Sequence, residues 1–107
     1  MDINWDRDFA LDQAGGDEDL LRELLAIFSG TLVTNRQKIE TALAAGDFSQ
    51  LGRAAHALKG SASSLGFPEI AAMANGVEGQ ARNGEAGQTA EFLINLRALE
   101  EKIPGLA

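Results

Sequence analysis

His56 is the only histidine in 107 residues, and it lies in the run Arg53-Ala54-Ala55-His56-Ala57-Leu58-Lys59-Gly60-Ser61-Ala62. The run has a helical pattern, so Lys59 at i+3 and Gly60 at i+4 share one side of the helix with the imidazole. A neutral imidazole, with an ordinary pKa of about 6.5, is a good nucleophile near neutral pH. Phosphorylated, it becomes a high-energy phosphoramidate, which suits reversible transfer better than stable marking. Lys59 is placed to neutralise charge on phosphoryl oxygens. Gly60, and Gly52 at i−4, set no side chain above or below the ring.

The rest of the composition narrows the chemistry. There is no Gly-rich nucleotide loop, no GxxxxGK[ST] and no evident Asp/Glu cluster for Mg²⁺. A metal and a second catalytic group are therefore expected from a partner. Cysteine is absent, which excludes disulfides and thiol chemistry and agrees with a reducing compartment. A zinc site would have to be completed by carboxylates, which argues against one, so no metal ligand is assigned. The net charge of −7 argues against nucleic-acid binding. Apolar runs are short and the N-terminus, Met1-Asp2-Ile3-Asn4, is acidic, so neither a transmembrane helix nor a signal peptide is expected. The expectation is a cytoplasmic protein, monomeric, with one domain over residues 1–107.

Positioning His56 falls to helices. Asn4 or Asp6 can cap a short first helix through about Gln13 that buries Trp5 and Phe9. Gly15-Gly16 breaks it. Asp17 caps a second helix, with Leu20, Leu21, Leu24, Leu25, Phe28, Leu32, Ile39 and Leu43 at helical spacing and a kink open at Gly30 or Asn35. Asp47 and Gln50 form a capping-box pattern for a third, whose stripe is Leu51, Ala55, Leu58, Ala62 and Leu65 and which Gly66 ends. Pro68 suits the first turn of a fourth, with Ile70, Ala71, Ala74, Val77 and Ala81 inward. Gly76 and Gly79 lie inside it, so either a neighbour packs closely there or the helix frays. Phe92, Leu96, Leu99 and Ile103 line a last helix that Pro104-Gly105 terminates. No segment alternates as a strand. The fold class is all-α: an antiparallel four-helix bundle with a short additional N-terminal helix.

At 100° per residue, His56 falls about 140° from the centre of the third helix's apolar stripe, well away from the core. Ser49, Gly52, Gly60 and Ser63 share its face, and Lys59 sits at the edge about 80° round. Gly52 reads either as clearance for an approaching molecule or as accident. A docking partner over this face would meet Ser49, Gly52, Arg53, Lys59, Gly60 and Ser63, with Phe48 or Phe67 as an apolar flank.

Residues Ala55-His56-Ala57-Leu58-Lys59-Gly60-Ser61-Ala62, followed by Leu65-Gly66 and a further helix ending in Val77-Glu78, resemble the histidine-containing phosphotransfer (HPt) family. Its pattern, roughly A-H-x-L-K-G-[SA] with a glycine about six residues on, is met at Ala55, His56, Leu58, Lys59, Gly60, Ser61 and Gly66. The resemblance covers nearly the whole chain, with departures at Phe67-Pro68 and at Gly76 and Gly79. It implies a bundle that accepts a phosphoryl group on one exposed histidine from a receiver domain's aspartyl phosphate and passes it to another receiver, or back. It implies no kinase activity. Carried over, His56 is phosphorylated on its outer ring nitrogen, Lys59 assists charge neutralisation, Gly60 gives clearance, and the receiver supplies Mg²⁺ and the aspartate. Receivers of response regulators or hybrid sensor kinases are the implied partners. Two competing readings are a degenerate bundle that only docks receivers, and a hydrolase using His56 as general base. The second needs a pocket and an orienting carboxylate near the ring.

Overall fold

Aspartates open the first three helices of the computed structural model, which describes residues 4–106. Asp6 accepts a hydrogen bond from the Phe9 amide and starts α1, Arg7–Gln13. Asp17 accepts from the Asp19 and Leu20 amides and starts α2, Glu18–Ala45. Asp47 accepts from the Gln50 amide and starts α3, Phe48–Ser64. Each cap satisfies donors that the first helical turn leaves without partners. The expected capping box at α3 is only half made, because the Gln50 side chain turns to Arg53 instead of reaching back. Pro68 opens α4, Pro68–Arg82, at a position where its missing donor costs nothing. α5 spans Thr89–Lys102 and tightens into a 3₁₀ turn over Ile103–Gly105.

α2 is one uninterrupted helix through Gly30 and Asn35. At 1.5 Å per residue its 28 residues span about 42 Å, and the molecule's long axis is 42 Å, so α2 is the spine of the bundle. α3 and α5 flank it, and α4 closes the bundle against both. The pairings run antiparallel: Arg36 meets Glu100 while Arg97 meets Glu40 across α2 and α5. This all-α arrangement is the antiparallel four-helix bundle with a short N-terminal helix that the periodicity predicts. The core joins Leu25, Phe28 and Leu32 of α2 to Leu51, Leu58 and Ala62 of α3, Val77 of α4, and Phe92 and Leu96 of α5.

Leu20, placed on the apolar stripe of α2, is exposed, and two further apolar residues depart from expectation. Phe9, expected inside, is exposed, while Trp5 alone packs partly against the core. Phe67, expected as an exposed flank of a docking surface, is 1 % exposed. Gly66 explains the second case. Its φ of +80° reverses the chain after α3, and a Cβ there would lie 2.5 Å from the Asp6 carbonyl oxygen. The reversal directs Phe67 inward, where its ring stacks between Trp5 and Phe28 at centroid distances of 5.8 and 5.0 Å. Trp5 Nε1 donates to the Leu65 carbonyl at 2.9 Å, which ties the N-terminal segment over this turn.

Candidate functional site

His56 stands on the exposed side of α3, facing α4. Its side chain is 66 % exposed. Leu51, Ala55, Leu58 and Ala62 hold the opposite side of α3 in the core, so the ring is turned outward by the burial of its own helix. The α3–α4 register sets what lies beside it. Gly52 meets Ala81, whose Cβ is 3.5 Å from where a Gly52 Cβ would be. His56 then meets Glu78, and Lys59 meets Glu78 and Asn75. Gly52 is half-buried beside α4, where a Cβ would make only ordinary contact with Ala81, and it also lines the groove next to His56.

Glu78 is the residue that single-helix reasoning missed. Its side chain is 10 % exposed, and its two oxygens serve three cationic or proton-bearing groups. Oε2 lies 2.7 Å from His56 Nδ1; Oε1 accepts from Lys59 Nζ at 2.8 Å and pairs with Arg82 at 3.5 Å. The Lys59 ammonium, with the His56 ring adding to it, holds the Glu78 carboxyl below the usual carboxylate range despite its partial burial. An ionised carboxylate can only accept, so His56 Nδ1 carries the proton and Nε2 presents its lone pair outward. A signal for Glu78 was present in the sequence. It lies one residue from Val77 and four from Ala74, at the edge of α4's buried face, where a carboxylate needs a partner.

An open groove runs along this face, lined by Phe48, Ser49, Gly52, Arg53, His56, Ala57, Glu78, Ala81 and Arg82. Of the residues expected at a docking surface, Ser49, Gly52 and Arg53 therefore gather with His56. Phe48, partly exposed, supplies the apolar flank that Phe67 does not. Ser63 is exposed on α3 but outside the groove. Gly60 is exposed, and a Cβ there would meet nothing within 4 Å, so the space over the ring is open on that side. Lys59 and Arg82 both pair with Glu78, and Arg53 lines the same groove, so the named cations outnumber the one carboxylate here on an acidic protein. Among the described residues no group of three or more His, Cys, Asp or Glu is placed to hold a metal ion.

A nucleophilic nitrogen facing solvent, its proton held on the far side of the ring and cations close by, is an arrangement for receiving an anionic group from a docked partner. The Hpt domain model matches residues 23–104. The chain belongs to the Hpt domain family. The HPT domain of a sensor hybrid histidine kinase from Shewanella superposes with a TM-score of 0.81 at 22 % identity, covering 96 % of this chain and 92 % of that one. Histidine-containing phosphotransfer protein B from Pseudomonas aeruginosa PAO1 gives 0.84 at 24 % identity, covering 96 % and 90 %. At these identities the two structures establish a common fold. No curated protein sequence matches the chain. As an Hpt domain it has a phosphotransfer role in two-component signalling. No helix among the described residues is long and apolar enough to cross a membrane.

Proposed function

We propose that this Hpt domain carries a phosphoryl group on Nε2 of His56, taking it from the aspartyl phosphate of one receiver domain and giving it to another, or back. The observation that supports this most is the Nδ1–Glu78 contact of 2.7 Å on a ring that is 66 % exposed. In the transfer, the Nε2 lone pair attacks phosphorus, the bond from phosphorus to the aspartyl oxygen breaks, and the aspartate leaves as carboxylate. No proton need be removed from the attacking nitrogen, because Nδ1 already holds it. The ring becomes cationic as the bond forms, and the Glu78 carboxylate lies against that charge. Lys59 and Arg82 supply countercharge for the phosphoryl oxygens, and Gly60 leaves the receiver room to reach the ring. The docked receiver brings the aspartate and the Mg²⁺ that screens the phosphoryl group.

Phe48, Ser49, Gly52 and Arg53 form the receiver's landing surface in this reading. A transient complex of modest area suits a carrier that must release one partner to meet the next. The domain has no kinase activity of its own in this account. A general-base hydrolase would find its orienting carboxylate in Glu78, but the groove is open, and no enclosed pocket surrounds the ring.

The test is transfer from labelled phospho-receivers to the parent chain and to His56→Gln, with ATP alone as control. Acid-labile, base-stable label on the parent only is expected. No label from any receiver on a folded bundle would overturn the proposal and leave a docking adapter.

A further inference from the structure

Two of the five asparagines precede a glycine, Asn75-Gly76 and Asn83-Gly84, and α4 holds the two pairs differently. In such a dipeptide the glycine amide nitrogen can attack the asparagine side-chain carbonyl, because no Cβ shields it. Asn75 lies in the interior of α4, so the Gly76 amide belongs to the helix's own hydrogen-bond ladder. The Asn75 side chain accepts from Lys59 Nζ of α3 at 3.5 Å, and a Cβ on Gly76 would lie 2.5 Å from Gln88 Oε1. Both residues of that pair therefore have neighbours from other parts of the bundle.

Asn83 is where α4 ends. Its φ of −95° and ψ of 9° lie outside helical geometry, and Gly84 follows at a φ of +71°. Both residues are exposed, and a Cβ on Gly84 would meet nothing within 4 Å. The Gly84 amide donates to the Ala81 carbonyl at 3.1 Å, and the Asn83 side-chain amide donates to the Gly79 carbonyl at 3.4 Å. Opening this final turn frees the Gly84 nitrogen to reach Asn83 Cγ, and helix ends open far more readily than helix interiors.

We propose that Asn83-Gly84 is a self-modification site, at which deamidation places a carboxylate at the end of α4 beside the His56 groove. The Gly84 nitrogen bonds to Asn83 Cγ, the Cγ–Nδ2 bond breaks, and ammonia leaves with the proton that the Gly84 amide gives up. Water then opens the five-membered imide. Addition at the backbone carbonyl leaves isoaspartate, with the chain running through the former side chain; addition at the side-chain carbonyl leaves aspartate. Either product adds a negative charge next to Arg82, which lines the groove and pairs with Glu78 at 3.5 Å. The charge also falls at a helix C-terminus, where the macrodipole disfavours it. The groove loses part of its cationic excess, and the last turn of α4 loosens, as the protein ages.

The experiment incubates the full chain in mildly alkaline buffer, folded and unfolded in guanidinium chloride, and follows tryptic peptides by mass. Cleavage after Arg82 puts the two sites in separate peptides. In the folded protein Asn83 should convert at least about tenfold faster than Asn75, giving isoaspartate as well as aspartate, while in the unfolded chain the two rates should converge. Asn83→Gln cannot close the five-membered ring and should show no conversion at that position. Equal rates at the two sites in the folded protein, faster conversion at Asn75, or an Asn83 that stays intact while the unfolded chain converts would each overturn the proposal. Converted protein, separated by its extra charge, should accept a phosphoryl group from a phospho-receiver about two- to fivefold more slowly than Asn83→Gln, with the gap narrowing at high salt. That readout rests on the transfer proposed above and the peptide masses do not, so failure of either reading is seen separately. Equal, active transfer by both proteins would overturn the effect on the groove.

Discussion

Replacing Glu78 by alanine should slow phosphoryl uptake while the bundle stays folded. The carboxylate accepts from His56 Nδ1 at 2.7 Å and is almost fully covered, so it sets both the ring's tautomer and its rotation. A hydrogen bond to a charged group contributes about 1.5–3 kcal/mol, which is roughly a 10- to 150-fold bias in population. The ring itself is 66 % exposed, so water partly replaces the lost partner and the lower end applies. The expected loss is about tenfold in the rate of transfer from a phospho-receiver, read by stopped-flow or rapid quench. Glu78→Gln keeps an acceptor oxygen in place, so it should recover much of the rate. Nitrogen NMR of the single histidine provides a readout that a merely structural role would not move. Proton occupancy at Nδ1 should fall in Glu78→Ala and persist in Glu78→Gln. A Glu78→Ala protein that is folded, has an unchanged tautomer and transfers within twofold of the parent would refute the reasoning.

Three further outcomes follow from the same contacts. Gly60→Gln should move stability and transfer in opposite directions, because its Cβ meets nothing and the helix gains up to about 1 kcal/mol, or several degrees in Tm. Its side chain would meanwhile obstruct the receiver, and unchanged transfer kinetics would count against the clearance role. Phe67→Ala should cost about 3–5 kcal/mol in urea unfolding, since the ring is stacked on both faces in the core; a cost below about 1 kcal/mol would mean the stack is not the anchor of the α3–α4 turn. Glu78, through Lys59, and Glu40, through Arg36, both titrate below their ordinary value. Their stabilising contribution is thus fully present above about pH 4.3 and fades as pH falls through the lowered values. The urea midpoint should drop across that acid range less steeply in a Glu40→Gln, Glu78→Gln double variant than in the parent; equal slopes would contradict the assignment.

Much of this molecule can be read one helix at a time, and what was missed lies between helices. Asp6, Asp17, Asp47 and Pro68 mark where helices begin, and Gly46 and Gly66, both at positive φ, mark where the chain turns. These are local signals carried by single residues. The outward placement of His56 also follows from one helix's own periodicity. The Glu78 partnership does not, because it depends on the axial register of α4 against α3, which periodicity leaves free. The half-burial of Gly52 has the same origin: its helix angle points away from the stripe, yet α4 approaches it through Ala81. Phe67 lies in a turn, where no periodicity applies, and its burial depends on the reversal at Gly66 and on the N-terminal segment that folds over it. Gly76 presents the same limit. A Cβ there would lie 2.5 Å from Gln88 Oε1, a neighbour supplied by the approach to α5, and the helix runs unbroken through it.

The most direct test concerns which nitrogen bears the phosphoryl group. Because His56 is the only histidine, a nitrogen-labelled sample has one imidazole to observe. After charging by a phospho-receiver, phosphorus should couple to Nε2, with the proton still on Nδ1. Coupling to Nδ1, or a charged protein with no phosphorus on the ring, would contradict the account.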